Sequence, residues 1–499
     1  MLPPLNSGRI FIWISAAALI AAAALRYFAQ PTFWLDEAFV AVSLKNSSPG
    51  LLFAPLEYGQ YFPRLYLAAI ALLRETLGYQ VWVLRLLPWL CFTAATIFWA
   101  RLLIKRSRQH AAAALVAASL LAGSILWLDQ AIQLKQYTFD VLLALVPFLI
   151  ADALLDEIFA RGERKLILLA LVLPVLFSYT YPMALGARLI GWYLYRGRAT
   201  AWRLNKSAIF ILIMIFALAM ISIWATDYRF NFKDSASYFS YWDDCILRSR
   251  IAHGFTETTR LLAKFLWGWH GRQPLVTAVI APLQLIGVYS VVRGWKKRER
   301  NDSEWGSRSV GSIVLIGGVI LASLLVNYPI CAGRVTLFAQ IHLQILAVEG
   351  ALFLLTRLSR SKLAAAVSYV LIGVILFHSL REFARFVRAE PEENLRPAIA
   401  EIDPNAANTV WVHPCSVAQI RSLPEPLPVS EVLLGTEKRV PPRGQKVWII
   451  WSHLGEESCR ARLEQLQRQA AVWEIVHTGP GRGLALAEFE PKPERHKEQ

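Results

Sequence analysis

The run FIWISAAALIAAAAL (Phe11–Leu25), followed within a few residues by PTFWLDEAFVAVSL (Pro31–Leu44), decides what kind of chain this is. The first stretch has close to the length of apolar chain, roughly 18–20 residues, that crosses a bilayer as a helix. The second sets two adjacent carboxylates, Asp36 and Glu37, among aromatic and aliphatic residues just past the end of that span. A carboxylate near the bilayer is costly unless it is hydrated, paired or used, so this pair reads either as an interfacial acid facing water or as part of a site.

Working outward, Ala111–Leu128, Ala208–Ala225 and Val310–Val326 repeat the spanning pattern. Over 499 residues the chain is 56% hydrophobic and only 18% charged, the composition of a polytopic α-helical membrane protein rather than of soluble domains. Its net charge of +16 is concentrated in clusters between apolar runs, such as KRSR (Lys105–Arg108) and RGWKKRER (Arg293–Arg300). That placement marks loops on the cytoplasmic side and argues against nucleic-acid binding. The first run reads as a retained anchor, since no clean small-x-small cleavage site precedes a soluble domain and more spans follow.

The pattern predicts eleven spans, near 10–28, 82–104, 111–128, 140–157, 165–181, 183–196, 207–226, 274–293, 309–327, 334–356 and 362–380. With the basic loops inside, residues 30–80, 227–273 and 381–499 lie outside. The first outer loop carries helical patterning (RLYLAAIALLRETLG, Arg64–Gly78), expected as helices along the membrane surface. Residues 1–380 then form the membrane domain and 381–499 a small α/β domain. In the latter, NTVWVHP (Asn408–Pro414), KVWIIWSH (Lys446–His453) and LALAEFE (Leu484–Glu490) read as strands, and SCRARLEQLQRQA (Ser458–Ala470) as a helix. Cys245, Cys331, Cys415 and Cys459 fall outside, where disulfides form. Cys415 and Cys459 each follow a strand and are either bridged or two free thiols.

Three further clusters share the outer face with Asp36. DQAIQLKQYTFDVLLAL (Asp129–Leu145) brings Asp129, Lys135, Tyr137 and Asp140 to the interface. Lys135 either snorkels to headgroups or holds a phosphate as negative charge grows on it. NYPICAGR (Asn327–Arg334) offers Arg334 as a phosphate clamp or as a helix anchor, and His270 in WHGRQP reads as an interfacial histidine. No cysteine or histidine spacing suits a structural metal, and no phosphate loop, nucleophile elbow or dinucleotide fingerprint stands in a credible context.

Taken together these residues resemble the GT-C superfamily of polyprenyl-phosphate-sugar-dependent glycosyltransferases, in its protein mannosyltransferase and lipid A aminoarabinose transferase branch. The resemblance rests on WLDEAF after the first span, YFPRLYLAAIALLRETLGYQVWVLRLLP (Tyr61–Pro88), LKQYTFDVLLAL, YPICAGRVTLF (Tyr328–Phe338) and the outer tail with VWIIWSH. Phe62 and Arg64 stand where relatives often have His and a second Pro, and Lys135 where many have Arg.

The resemblance implies sugar transfer on the outer face, usually with inversion, with the polyprenyl-phosphate sugar as donor, no nucleotide sugar or required cofactor, and a divalent metal left open. Asp36 would take the acceptor proton, with Glu37 orienting it. Lys135, Arg64 and Arg334 would stabilise the departing lipid phosphate. Tyr61 and Tyr137 would line the substrate site, with a second acidic site supplied by Asp129 or Asp140, or absent. Expected partners are a polyprenyl-phosphate-linked sugar, an unspecified lipid, glycan or protein acceptor, and membrane lipids. The expected location is a bacterial inner membrane. A transporter or lipid flippase is the alternative reading, disfavoured because the ionisable residues collect at one face; Arg188, in the sixth predicted span, is the main exception.

Overall fold

The structure is a computed structural model. It describes residues 7–29, 31–45, 54–107, 110–160, 165–196, 242–267, 274–297, 303–330, 334–358, 362–391, 393–435, 441, 444–454 and 457–489, with scattered positions between 210 and 225. The chain forms two compact units. One comprises Met1–Leu25, Tyr61–Ala69 and Leu86–Arg388; the other comprises Arg26–Gln60, Ile70–Arg85 and Ala389–Gln499.

The helices are α1 (Ser7–Ala29), α2 (Leu35–Lys45), α3 (Arg64–Leu77), α4 (Val81–Ser107), α5 (Ala111–Ala122), α6 (Tyr137–Leu149), α7 (Tyr181–Arg196), α8 (Pro274–Lys297), α9 (Ser303–Leu325), α10 (Leu337–Leu358), α11 (Lys362–Arg388) and α12 (Glu457–Gln469), joined by shorter turns. Among the described residues six helices are long and apolar enough to cross a membrane: Gly8–Ala29, Val81–Ser107, Ala111–Ile132, Val276–Trp295, Glu304–Leu325 and Leu337–Arg357. A seventh is formed if Tyr137–Leu149 and Asp152–Phe159, bent by 84°, count as one span. The eleven expected spans are therefore not all met at spanning length. The span expected at 183–196 is the 16-residue α7, and that at 165–181 is an eight-residue helix (Lys165–Val172) followed by a 3₁₀ turn. The span expected at 207–226 lies largely outside the described residues.

In the first unit the spanning helices differ in how much protein covers them. The apolar window of α10 is 89% buried, that of α8 only 28%. Large apolar side chains stand exposed on the outer helices, among them Phe11 and Ile14 on α1 and Leu285 and Tyr289 on α8. Such continuous apolar exposure suits contact with lipid tails. Without a hydrophobic drive between spans, close packing depends on small residues. The crossing of α8 and α10 shows this: a Cβ on Gly287 would lie 1.9 Å from the Leu346 carbonyl oxygen, and one on Gly350 1.8 Å from that of Leu283.

Among the described residues of this unit, two charge pairs stand out. Arg188, fully buried, bonds Asp152, Ser307 Oγ (3.0 Å) and the carbonyls of Pro147 and Ile150 (3.2 Å each). Arg106 grips Glu349 with two bonds of 2.6 and 2.7 Å.

In the second unit a five-stranded sheet has the order β2-β1-β3-β5-β4. Its strands are β1 (Thr409–Val412), β2 (Glu431–Leu434), β3 (Lys446–Ser452), β4 (Ala470–Gly479) and β5 (Arg482–Phe489). β1 pairs parallel with β2 and β3, while β5 pairs antiparallel with β3 and β4. Val410, Val412, Trp448, Ile450 and Leu484 build the core on one face; Trp411, Ile449, Trp451 and Ala485 build it on the other. Cys415 and Cys459 are joined by a disulfide, which resolves the open alternative of two free thiols. α11 runs on to Arg388, and the tail's share of this unit is Ala389–Gln499.

Candidate active site

In the second unit the site is built on the amino-terminal turn of α2. Asp36 and Glu37 occupy its first turn, where exposed backbone N–H groups favour negative charge. Glu37 is almost fully buried. It reaches back to accept the Trp34 N–H at 3.2 Å, the return half of a capping box. Both its oxygens meet Arg85, at the start of α4, in a fork of 3.0 and 2.6 Å. Arg85 is 3% exposed, donates to the Pro31 and Thr32 carbonyls, and lies 5.1 Å from the Phe33 ring centre. Planar bidentate geometry of this kind fixes orientation as well as charge. Asp36, one position earlier, is half-buried.

Residues from the tail complete this turn. Glu393 accepts the Leu35 N–H (3.2 Å) and Gln419 Nε2 (3.1 Å), and lies 2.6 Å from His453 Nδ1. Thr32 donates its N–H to Asn394 Oδ1 at 3.1 Å, and its hydroxyl accepts the Leu395 N–H at 2.7 Å. Farther along α2, Lys45 donates to the carbonyls of Arg421 and Leu423. Burial and the Arg421 charge lower its pKa from the usual lysine value.

In the first unit three stretches converge: Tyr61–Tyr66, Leu134–Asp140 and Ser178–Tyr181. Tyr66 on α3 is buried, its ring stacked on Phe62 (5.7 Å) and Phe139 (4.8 Å), and its hydroxyl donates to the Lys135 carbonyl at 3.4 Å. Tyr179 donates to the Phe62 carbonyl at 3.0 Å. Asp140, in the first turn of α6, accepts from Ser178 Oγ, and Ser178 Oγ in turn accepts the Tyr181 N–H at 3.2 Å. Thr138 ties α6 to α4 through the Pro88 carbonyl at 3.0 Å. Lys135 is only 4% exposed, so it does not snorkel; Arg64, Tyr137 and Asp140 are buried and Tyr61 half-buried.

Asp140 joins the converging cluster, whereas Asp129 accepts from Gln130 and Gln133 of its own loop. The Arg334 backbone opens a 3₁₀ turn before α10, but its side chain and all of His270 lie outside the described residues. The segment before that turn is held by Ile330 N–H bonding to the Cys245 carbonyl at 2.8 Å, and Cys245 is disulfide-bonded. Among the described residues no group of three or more His, Cys, Asp or Glu is placed to hold a metal ion.

Sequence reasoning did not single out Arg85, Glu393, Gln419, His453 or Ser178. Only Arg85 carried a usable signal, a charge inside the otherwise apolar run VWVLRLLPWL (Val81–Leu90).

No protein-family model matches the chain, and no curated protein matches it. Among the solved structures similar to it are two of ArnT from Cupriavidus metallidurans. The apo form shows 11% identity over 95% of this chain and 97% of that one, with a TM-score of 0.43. The form bound to undecaprenyl phosphate shows 12% identity over 96% and 97%, with a TM-score of 0.48.

Proposed function

We propose that this chain is an integral membrane glycosyltransferase that moves a sugar from a polyprenyl-phosphate donor to an acceptor hydroxyl on the extracytoplasmic face of a bacterial inner membrane, with inversion. The observation that carries the reading is the α2 turn: an acidic residue, Asp36, on a backbone clamped by a buried Glu37–Arg85 pair. Preorganised carboxylates of this kind suit proton removal from a hydroxyl.

In the proposed reaction Asp36 takes the acceptor proton as the hydroxyl oxygen bonds to the anomeric carbon. The bond from that carbon to the donor phosphate oxygen breaks, its electron pair leaving with polyprenyl phosphate. Lys135 and Arg64, with Arg334, offset the negative charge gained by the phosphate. Glu37 acts on Asp36 through the backbone, since its oxygens are engaged by Arg85 and Trp34. Tyr61, Tyr137 and Asp140 line the sugar site. No resident cofactor is needed. Residues 1–380 supply the lipid-bound chemistry and 381–499 an outer domain. Arg188, the main exception to the one-sided placement of charge, pairs with Asp152 and Ser307, which favours the transferase reading over a transporter or lipid flippase.

The test is turnover of a radiolabelled polyprenyl-phosphate sugar by the purified protein in nanodiscs. Asp36→Ala should lower transfer at least a hundredfold, within the range of a lost general base, while expression and donor binding persist. Near-normal turnover by that variant removes Asp36 from the mechanism. Vectorial flux without a new glycosidic bond replaces the transferase reading by the transporter one.

A further inference from the structure

The backbone leading into Asp36 is held at five successive residues. The Pro31 and Thr32 carbonyls accept from Arg85, and the Thr32 N–H bonds Asn394. The Phe33 carbonyl accepts Gln419 Nε2 at 3.2 Å, the Trp34 N–H bonds Glu37, and the Leu35 N–H bonds Glu393. Glu393 is the hub of the tail's share of this clamp. Its Oε2 takes both the Leu35 N–H and Gln419, and its Oε1 meets His453 Nδ1 at 2.6 Å. Gln419 is held by Ser452, which Ser416 fixes through its backbone N–H at 2.7 Å.

Two features set this hub apart from ordinary packing. Glu393 and His453 both have left-handed backbones, with φ of 59° and 56°. Side-chain-bearing residues keep that conformation only where the surroundings over-determine it, and such positions cluster at functional sites. His453 also contributes to the wall of a cavity of about 370 Å³, together with Leu35 and Phe39 of α2, Tyr58 and the Cys415–Cys459 bridge. The same imidazole therefore meets Glu393 at Nδ1 and a space that opens beside the Asp36 helix.

We propose that Glu393 and His453 form a positioning pair that sets the Asp36 turn for proton transfer, an assignment that rests on Asp36 being the base. His453 orients the Glu393 carboxylate, and Glu393 holds the first N–H of α2. A shift of that N–H moves Asp36, one residue on, against its substrate.

Wild type, Asp36→Ala, Glu393→Ala, Glu393→Gln and His453→Ala, each as the full chain in nanodiscs, are compared by steady-state kinetics and by amide hydrogen exchange. Glu393→Ala should lower kcat at least tenfold with donor KM within twofold, and speed exchange in peptides covering Thr32–Phe39 but not in β3 and β5. Glu393→Gln, whose amide oxygen still accepts the Leu35 N–H, should restore kcat to within threefold. His453→Ala should fall between the two. Wild-type kcat in Glu393→Ala overturns the assignment, as does unchanged exchange over Thr32–Phe39. Exchange gained evenly across the sheet also overturns it, because the pair would then be a fold stabiliser only. If wild type itself transfers no sugar, the transferase reading fails, and the exchange data alone uphold or overturn the tether.

Discussion

Arg85 shows how much can depend on one side chain. Its guanidinium fills both oxygens of Glu37 and two backbone carbonyls in a space closed to water. Removing one partner of such a pair leaves the other charged and buried, a loss of about 3–5 kcal/mol. Arg85→Ala should therefore lower the thermal midpoint by several degrees, while the double replacement Arg85→Leu with Glu37→Leu should recover much of that loss. A melt in which the single variant matches wild type would refute the buried pair. Lys135 belongs at the same scale. Lys135→Ala should weaken donor turnover far more than stability, read as kcat/KM beside the melting curve.

At the level of elements, the membrane helices and the sheet are held by different devices. The crossing of α8 and α10 allows no side chain at Gly287 or Gly350. Gly350→Val should force the two backbones apart and abolish a monodisperse elution profile in detergent, whereas Gly373→Ala in α11, where an added Cβ meets nothing within 4 Å, should elute normally. In the sheet unit, His413 follows β1, is fully buried and accepts the Cys415 N–H through Nδ1 at 3.3 Å. Burial first, and the Arg462 charge second, push its pKa down to about 4. The folded state thus resists protonation that the unfolded chain accepts near the ordinary histidine value of about 6.5. Stability is full above that value and falls as pH drops toward 4, by about 3 kcal/mol from this group. Tryptophan fluorescence melts between pH 7 and 4 should show the loss, and His413→Asn should flatten it.

For the whole molecule, the disulfide of the tail depends on an oxidising compartment. The Cys415–Cys459 bridge closes a separation of 44 residues, for which chain entropy gives about 4 kcal/mol. Reduction, or Cys459→Ser, should lower the midpoint of the tail's unfolding and raise its sensitivity to protease. An unchanged digestion pattern after full reduction would show that the bridge adds nothing. On the proposed topology, protease added to intact spheroplasts should reach the tail, and protease trapped inside them should not.

Much of this was legible along the chain, because a span, a helix stripe and an alternating strand are written in consecutive residues. The apolar runs and the positions of β1, β3, β5 and α12 all follow from local period. β2 and β4 escaped that reading. Both are sheet edges whose side chains are largely exposed, so neither carries a buried alternation. What only the tertiary structure decided is which residues meet. Glu37 and Arg85 stand 48 positions apart, and Leu35 and Glu393 stand 358 apart. Such pairings have no period to betray them: burial must be matched by a partner, and only the folded chain chooses that partner.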